Sequence, residues 1–525
     1  METKRINAVL ACAILVFACS GISAQVVVQT QNGKLQGTEH NGVASFKGVP
    51  FAQPPIGDLR FKAPLPPKSW SGIRKADAFS AGCIQHKDIS RGPWVEQYML
   101  QGRTSEDCLY LNLWAPADFK RRGLSVYVWF YGGGYTEGAG SIDVYDGANL
   151  ARRGLIVVTI NYRLGALGFL ALPQLSAESP HHVSGNYGFL DGVAALQWVK
   201  ENISAFGGDP TKVTIGGQSA GSGMVHNLCV SPLAKGLFRA AVAESGTSLT
   251  SRMKTLSDDE KDGVDYLKPK NVTSLEELRK LPAEAFVPTP GSARVLRFSP
   301  IVDGWSIPGI PLDLIEARNA SDVPLLAGMQ ADEGSGNAPQ TYGKIPAEKW
   351  HKQVQQLYED LAAKFEQLYP SPDDAAASAA QKQSARDRGQ ASMYLWCSRA
   401  VQKQKSKIFT YYFNRATPWP GHPEFGAHHT GEVIYMFSNL DKLPRPYTGD
   451  DRKVAAIASG YLLNYVRTVD PNGTGLPTWD SFKTNPPETL EIAPETLMRP
   501  LMSAEKLAFW REYFASPLAA RGPIF

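Results

Sequence analysis

Six long apolar runs recur along the chain and predict the strands of a buried sheet. They are LSVYVWFYG (124–132), GLIVVTINYR (154–163), KVTIGG (212–217), FRAAVAESG (238–246), VPLLAGM (323–329) and KIFTYYFNR (407–415). Runs without a regular polar alternation fit strands that are covered on both faces. Segments with a helical pattern lie between them, for example GFLDGVAALQWVKENISAFG (188–207). Strands that alternate with helices predict an α/β fold with a mostly parallel sheet.

The stretch from 257 to 399 is more charged and more helical than the rest, and it includes an Ala- and Gln-rich segment at 374–390. We expect its helices to form a cap over one face of the sheet, spanning about residues 255–400. No internal repeat or linker divides the chain. Residues 25–525 are therefore interpreted as a single domain with a helical cap.

The first 24 residues have the pattern of a secretory signal. Lys4 and Arg5 precede an apolar run at 8–18, and small residues follow up to Ala24, after which cleavage is expected. The run is too short to span a bilayer, and no other stretch is long and apolar enough, so we expect no stable membrane insertion. The sequence VFAC (16–19) loosely resembles a lipobox, which makes a lipid anchor at Cys19 the alternative. We expect a secreted or periplasmic protein.

The charge balance and composition give no support for a nucleic-acid-binding function. The chain has 525 residues, of which 54 are Lys or Arg and 50 are Asp or Glu, a formal net charge of +4. A balance so close to neutral gives no electrostatic argument for binding nucleic acid, and the sequence contains no nucleic-acid-binding motif. The oligomeric state is left open.

Four cysteines lie beyond the leader. Cys83 and Cys108 bracket a polar, irregular loop, and because exported proteins keep disulfides we predict that these two are paired. Cys229 and Cys397 lie in apolar, helix-like contexts and are predicted to be buried thiols. The scattered His and Cys residues lack metal-ligand spacing, so we expect neither a metal nor another cofactor.

One strand-to-helix corner carries the pattern G-x-S-x-G, in GQSAG (217–221). Strained backbone at such a corner requires small neighbours, which explains the residues at 217, 220 and 221. The corner would place Ser219 at a helix N-terminus, where free N–H groups favour developing negative charge. This is the context that a nucleophilic serine requires. A glycine-rich turn with a non-catalytic serine would show the same sequence pattern.

A serine nucleophile needs a histidine base and an acid that orients the base. His428 and His429 follow a turn in FGAHHTGEVIYMF (425–437), whereas His351 lies in a charged, helical stretch typical of the surface. Asp332 and Glu333 directly follow the apolar run at 323–329. The residue pattern alone does not decide whether His428 or His429 is the base, or whether Asp332 or Glu333 is the acid. The glycine triplet at 132–134 also follows a strand. Without side chains in the way, its backbone N–H groups could donate hydrogen bonds to a substrate oxygen, together with the N–H of Ala220.

Together these segments resemble the type-B carboxylesterases, the cholinesterase-like branch of the α/β-hydrolases. The resemblance covers nearly the whole mature chain, in order. It is carried by SFKGVPFAQPPIGDLRFKAPLP (45–66), SEDCLYLNLWAP (105–116), YGGGYTEGA (131–139), NYRLGALGFL (161–170), GNYGFLDGVAALQWVKENISAFGGDP (185–210), SPIVDGW (299–305) and TVDPNGTGLPTWDSF (468–482).

The resemblance implies a role for each candidate residue. It matches Ser219 to the nucleophile, Glu333 to the acid and His429 to the base, because the family pattern has an acidic residue three positions after the base, here Glu432. The remaining matches are the oxyanion-hole donors Gly133, Gly134 and Ala220, the first disulfide Cys83–Cys108, and the ion pairs Arg60 with Glu106 and Arg163 with Asp191.

One position departs from the family, which usually has glutamate before the nucleophile; here the residue is Gln218. Glutamine keeps the hydrogen bonding but lacks the charge, which argues against a choline-ester specialist. Trp94 does not match the aromatic cation site of cholinesterases and is interpreted as a packing residue.

The resemblance implies a serine carboxylesterase that acts on a small-molecule ester through an acyl-enzyme intermediate. Aromatic residues in the loops around 86–105, 250–300 and 335–400 suggest bulky or aromatic esters. The alternatives are a lipase, amidase or polyester hydrolase with the same machinery and, more remotely, a non-catalytic binding protein of the same fold.

Overall fold

The computed structural model describes residues 24–87, 92–119, 123–249, 253–287 and 298–520. The predicted signal and the alternative anchor at Cys19 fall on residues 1–23, outside these ranges, and stay predictions. The described residues form one sheet of 13 strands. The strands are β1 (Ala24–Thr30), β2 (Gly33–His40), β3 (Val43–Pro50), β4 (Ile73–Lys75), β5 (Tyr110–Pro116), β6 (Leu124–Phe130), β7 (Ile156–Ile160), β8 (Gly208–Gln218), β9 (Ala240–Glu244), β10 (Leu325–Gln330), β11 (Ile408–Phe413), β12 (Glu488–Ile492) and β13 (Leu497–Pro500).

The strand order is β1-β2-β3-β5-β7-β6-β8-β9-β10-β11-β12-β13, and β4 pairs with β2. Every neighbouring pair from β7 to β12 is parallel. The pairs along the path from β1 to β7, and the pair β12–β13, are antiparallel. The mostly parallel sheet predicted from the apolar runs is confirmed.

The six predicted strands are β6, β7, β8, β9, β10 and β11, which are consecutive neighbours in the sheet. Every residue of β7, β9, β10 and β11 is buried, as their continuous apolar sequences require. Because parallel strands end at the same edge of a sheet, the segments that follow β6, β8, β9, β10 and β11 come together there. All the candidate catalytic residues lie on those segments.

Helices surround the sheet. They are α1 (Ala148–Arg152), α2 (Gly165–Phe169), α3 (Pro173–Glu178), α4 (Tyr187–Asn202), α5 (Ala220–Val230), α6 (Leu256–Leu267), α7 (Leu275–Lys280), α8 (Pro311–Glu316), α9 (Ala347–Tyr358), α10 (Ala362–Leu368), α11 (Asp374–Ala400), α12 (Val433–Met436), α13 (Gly449–Thr468) and α14 (Ala504–Ala515). The Ala- and Gln-rich segment forms the first part of α11, which begins at an Asp373 cap whose carboxylate accepts from the Ala376 amide at 2.8 Å. None of the helices described is long and apolar enough to cross a membrane.

Two ion pairs tie the segments around the sheet together, and the pair of Arg163 with Asp191 is buried while Glu106 of the other pair is partly exposed. Arg163, just after β7, donates to Asp191 of α4 at 2.7 and 2.8 Å. Arg60 donates to both carboxylate oxygens of Glu106 at 2.5 and 2.6 Å. Removing one member of such a buried pair costs about 3–5 kcal/mol, since the other charge is left without its partner.

The cysteine predictions are confirmed. Cys83 and Cys108 form a disulfide that closes a loop with a sequence separation of 25. Cys229 and Cys397 are free and buried. Burial raises the pKa of the Cys229 thiol to about 12, so that this thiol stays neutral at physiological pH.

Candidate active site

Ser219 occupies a strained corner between β8 and α5. Its backbone has φ of 57° and ψ of −120°, a conformation that non-glycine residues adopt only where the surroundings enforce it. The Ser219 amide donates to the carbonyl of Glu244, the last residue of β9, at 2.9 Å. A Cβ at Gly221 would collide with the carbonyl oxygen of Phe130, and one at Gly217 with the carbonyl of Gly221. The sequence prediction of obligatory small residues is confirmed at these two glycines.

The acid and the base meet although they are distant in sequence. Glu333 follows β10 and its Oε1 accepts the backbone N–H of Gln330 at 2.8 Å, which fixes the carboxylate. Its Oε2 lies 2.5 Å from Nδ1 of His429. Glu333 is 6 % and His429 7 % exposed, so the contact is shielded from water. A carboxylate can only accept, so Nδ1 carries the proton, and Nε2 is an acceptor whenever the ring is neutral.

Nε2 of His429 points to the serine corner. It lies 3.1 Å from the side-chain nitrogen of Gln218, which donates to it. Ser219 is the next residue and is half-buried, and its hydroxyl makes no hydrogen bond to any residue in the described ranges. The structure therefore joins Glu333, His429 and Gln218 by direct contacts, and Ser219 directly follows Gln218 in the chain.

The alternative acid and base are occupied elsewhere. The Asp332 carboxylate accepts from Arg386 at 2.9 and 3.0 Å and from the Tyr342 hydroxyl at 3.1 Å. Nδ1 of His428 is 2.8 Å from the carbonyl of His429, and burial lowers the pKa of His428 to about 4, which keeps it neutral. His351 is half-exposed beside Glu366 on the surface, as expected.

The glycine triplet packs against the same corner. A Cβ at Gly132 would lie within 3.1 Å of the Cβ of Ser219. Gly133 and Gly134 have φ of 103° and 61°, and the Gly133 carbonyl accepts from the amides of Thr136 and Glu137 at 3.0 and 3.2 Å. This turn leaves the amides of Gly133 and Gly134 without an acceptor in the described part of the chain. Ala220 is the first residue of α5, whose opening amides have no partner within the helix.

A cavity of about 250 Å³ lies against α5, the helix that begins directly after Ser219. Its wall includes Tyr135 after the glycine triplet, and Gly223 one turn beyond Ser219 on α5. The other lining residues are His226, Asn227, Gly246, Ser248, Leu249, Met253, Ser299, Pro300, Ile310, Pro311, Leu312, Asp313, Trp396 and Arg399. His226 lies seven residues after Ser219, which is about 10 Å along a helix. The cavity thus has an aromatic and aliphatic wall with a few polar groups.

Sequence reasoning missed the polar and aromatic residues of this cavity. His226 is buried, with Nε2 3.0 Å from the Thr247 hydroxyl and its ring 4.9 Å from that of Trp396 on α11. The signal available was the helical position of His226, two turns beyond the serine and on the same helix. Trp94 packs as expected, but against the site itself: its Nε1 donates to the Thr430 hydroxyl at 2.8 Å, and its ring centre is 6.5 Å from that of His429.

Glu432 lies behind His429 rather than in the cavity. It is fully buried, and its Oε1 accepts from the Ser245 hydroxyl at 3.4 Å. Burial, reinforced by the neighbouring Glu244, raises the pKa of Glu432 well above the usual range of a carboxyl.

Comparison with known proteins gives a consistent set of relatives. The model of the carboxylesterase family matches residues 24–510. The chain is 37% identical over 422 residues to fumonisin B1 esterase of Sphingopyxis macrogoltabida, covering 79% of this chain and 75% of that protein. It is 34% identical over 500 residues to para-nitrobenzyl esterase of Bacillus subtilis (strain 168), covering 91% and 97%. A solved structure of PNB esterase matches with a TM-score of 0.79 at 32% identity, over 92% of this chain and 99% of the other.

Proposed function

Because the chain belongs to the carboxylesterase family and is a carboxylic ester hydrolase with the α/β-hydrolase fold, we propose that Ser219, His429 and Glu333 carry out the hydrolysis. One observation carries the assignment. Glu333 contacts Nδ1 of His429 at 2.5 Å, while Nε2 of the same ring is directed at the residue before Ser219. Ser219 is the next residue after Gln218, and catalytic hydrogen bonds that are long or absent without substrate commonly tighten when substrate binds.

The first half of the reaction forms an acyl-enzyme. Nε2 of His429 takes the Ser219 proton as Oγ attacks the ester carbonyl, and the tetrahedral intermediate that forms carries its negative charge on the former carbonyl oxygen. Glu333 holds the Nδ1–H tautomer and stabilises the imidazolium. The imidazolium then gives its proton to the alcohol oxygen as the carbon–oxygen bond breaks, and the alcohol leaves.

The second half regenerates the serine. His429 takes a proton from water, the hydroxide equivalent attacks the acyl-enzyme, and the carboxylic acid leaves as Oγ recovers the proton from the imidazolium. The amides of Gly133, Gly134 and Ala220 would donate to the oxyanion in both halves. Each such donor contributes about 3–4 kcal/mol to the transition state.

We propose bulky or aromatic esters as the substrate class. The cavity along α5 measures about 250 Å³, and its aromatic and aliphatic wall, which includes Tyr135, Trp396 and Leu249, suits an apolar group of aromatic size. Asp313 and Arg399 add two charged side chains to the same wall. The name of the relative para-nitrobenzyl esterase also refers to an aromatic ester. Lipase, amidase and polyester hydrolase activities would use the same three residues and differ only in what the cavity accepts.

We also propose that the protein works outside the cytoplasm. The charged, apolar and small-residue pattern of residues 1–24 supports this, as does the Cys83–Cys108 disulfide, a bond that persists in oxidising compartments. Cell fractionation with N-terminal sequencing of the mature protein tests it. A mature chain that begins after residue 24 supports soluble export, a lipid-modified Cys19 supports anchoring, and an unprocessed cytoplasmic chain refutes both.

The catalytic assignment is tested by labelling with a fluorophosphonate and locating the modified residue by mass spectrometry. We expect the label on Ser219, with loss of labelling and of nearly all turnover in Ser219→Ala. Ser222→Ala is the matched control, because Ser222 lies one turn further on the same helix with a buried hydroxyl, and it should label normally. A panel of p-nitrophenyl esters of increasing acyl length, with phenyl and feruloyl esters and the matching amides, then tests the substrate class. Full turnover by Ser219→Ala would refute the mechanism.

A further inference from the structure

Trp94 lies between the two segments that carry the acid and the base. Its indole N–H donates to the hydroxyl of Thr430, the residue directly after His429, at 2.8 Å. A Cβ on Gly336, three residues after Glu333, would lie only 2.8 Å from the Cη2 atom of Trp94, so the indole packs closely against that segment as well. Both partners of the hydrogen bond are buried. One side chain therefore contacts the segments of both the acid and the base.

The backbone of Thr430 has a conformation that threonine rarely adopts. Its φ is 77°, in the left-handed region, which a β-branched residue enters only when its surroundings enforce it. A glycine would adopt this angle without strain, so the threonine side chain supplies something that glycine lacks. Its hydroxyl accepts the Trp94 indole N–H. This hydrogen bond offsets the strain at the residue next to the base.

The peptide group between His429 and Thr430 is held from a second side. The His429 carbonyl accepts from Nδ1 of His428 at 2.8 Å. The Gly431 amide donates to the His428 carbonyl at 2.8 Å, which closes the turn around this peptide. The imidazole of His429 is joined to this backbone through only two side-chain torsions, so a shift of the backbone displaces Nδ1 and Nε2 together.

The loop that carries Trp94 is itself anchored. The Cys83–Cys108 disulfide closes it, and Arg445 donates to the carbonyl of Pro93 at 3.4 Å. Trp94 is thus a fixed point against which the backbone beside the base is held.

We propose that Trp94 and Thr430 form a positioning pair for His429. The indole N–H holds the Thr430 hydroxyl, and with it the left-handed backbone that directs Nδ1 of the imidazole at Glu333 and Nε2 at the serine corner. The pair acts through His429, so the inference rests on the proposed role of His429 as the base. Catalysis depends on such alignment, because a displacement of about 1 Å at a reacting group can lower the rate about 100-fold.

Removing either the N–H or the hydroxyl tests the pair. Trp94→Phe keeps an aromatic ring without a donor, and Thr430→Val keeps the branched shape without an acceptor. Each should lower kcat about tenfold and leave KM within about twofold of the wild-type value, because a misaligned base slows the chemical step without weakening substrate binding. Both changes remove the same bond, so Trp94→Phe/Thr430→Val should also lose about tenfold rather than about 100-fold. Thr430→Ser keeps the hydroxyl and should stay within about twofold of the wild type.

Trp510→Phe is the matched control. Trp510 is fully buried on α14, and its indole N–H donates to the Tyr369 hydroxyl at 2.9 Å, so this variant also removes a bond between a tryptophan and a hydroxyl. It should lower the thermal midpoint and leave kcat within about twofold. If Trp94→Phe lowered the thermal midpoint and kept kcat in the same way, the bond to Thr430 would be structural only and the proposal would be overturned. Thr430→Ser turning over as slowly as Thr430→Val would overturn it as well, even if Trp94→Phe does not fold.

Proton NMR follows the alignment without reference to turnover. The Nδ1 proton of His429, in a contact of 2.5 Å with Glu333, should give a far-downfield resonance that Glu333→Gln abolishes and Trp510→Phe retains. In Trp94→Phe and Thr430→Val this resonance should shift upfield or broaden, and an unchanged resonance in both would contradict the proposal. Failure of the proposed function would be seen separately, as a fluorophosphonate label on a residue other than Ser219 in the wild-type protein.

Discussion

Nε2 of His429 lies 3.1 Å from the side-chain nitrogen of Gln218, the residue directly before Ser219. When the ring is neutral and Nδ1 donates to Glu333, Nε2 is the acceptor of the Gln218 amide in this contact. The family that this chain belongs to usually has glutamate here, so the Nε2 side of the ring lacks the negative charge that a glutamate would place there. The acid–base behaviour of His429 should therefore respond directly to the residue at position 218.

Gln218→Glu should move the acid limb of the pH–rate profile upward. A carboxylate within about 4–6 Å of the ring favours the charged imidazolium over the neutral base. The neutral base is then lost at higher pH as the pH falls, so kcat/KM below the new limb drops at least tenfold. The measurement is kcat/KM for a neutral p-nitrophenyl ester from pH 4 to 9. Gln355→Glu, at an exposed position of α9, should leave the profile in place; an unmoved limb in Gln218→Glu would mean that residue 218 does not act on the base.

Glu333→Gln should lower kcat about 10⁴-fold with little change in the fold. An amide in place of the carboxylate cannot stabilise the imidazolium, and it favours the wrong tautomer of His429. In comparable triads this replacement lowers kcat by about 10⁴-fold. Turnover and the thermal midpoint, measured on the same preparation, separate the two effects.

Asp332→Asn is the matched control for Glu333→Gln, because the two acids are adjacent. The buried Asp332 carboxylate pairs with Arg386, and removing its charge should lower the free energy of unfolding by about 3–5 kcal/mol. Its kcat should stay within tenfold of the wild-type value. If Asp332→Asn lost turnover and Glu333→Gln kept it, the assignment of the acid would be reversed.

The sequence predicted the parts of the site that depend on local pattern. Short runs that are apolar at successive positions are typical of strands covered on both faces, and the six runs are such strands. Their parallel order brings 132–134, 219, 333 and 429 to one edge of the sheet. The choice of Glu333 over Asp332 needed the family resemblance, since two adjacent acids after a strand look alike until Arg386 is seen to hold one of them. The cavity wall could not be predicted, because Trp396 and His226 meet only through the packing of α11 against α5.

The buried histidines should make the protein lose stability as the pH falls from 6.5 to 4. Burial lowers the pKa of His226 from 6.5 to about 4, so between these values the unfolded chain binds a proton that the folded protein does not. The free energy of unfolding therefore falls with falling pH, by about 3 kcal/mol for a shift of this size. His226→Phe removes the titration, and its loss of stability between pH 7 and pH 4, measured by urea unfolding, should be smaller by about that amount.

Thr247→Val separates titration from the loss of a hydrogen bond. It removes the partner of His226 but keeps the imidazole, so the protein should be less stable at every pH while keeping a wild-type dependence on pH. Parallel stability curves for wild type and His226→Phe would show that His226 does not contribute to acid destabilisation.

Trp396→Ala should weaken the hydrolysis of bulky esters selectively. The side chain of Trp396 bounds the cavity along α5, and an apolar group buried against such a side chain gains about 1.5–3 kcal/mol, which corresponds to about 10–100-fold in kcat/KM. The hydrolysis of p-nitrophenyl acetate, whose acyl group has only a methyl to bury, should change by less than about threefold. Trp70→Ala, a partly buried tryptophan that packs beside β2 and does not line the cavity, controls for the loss of an indole. A cavity that selects the substrate must act more strongly on an acyl group that fills it than on an acetyl group. If Trp396→Ala reduced kcat/KM for the acetate and for aromatic esters by the same factor, this cavity would not be the site that selects the substrate.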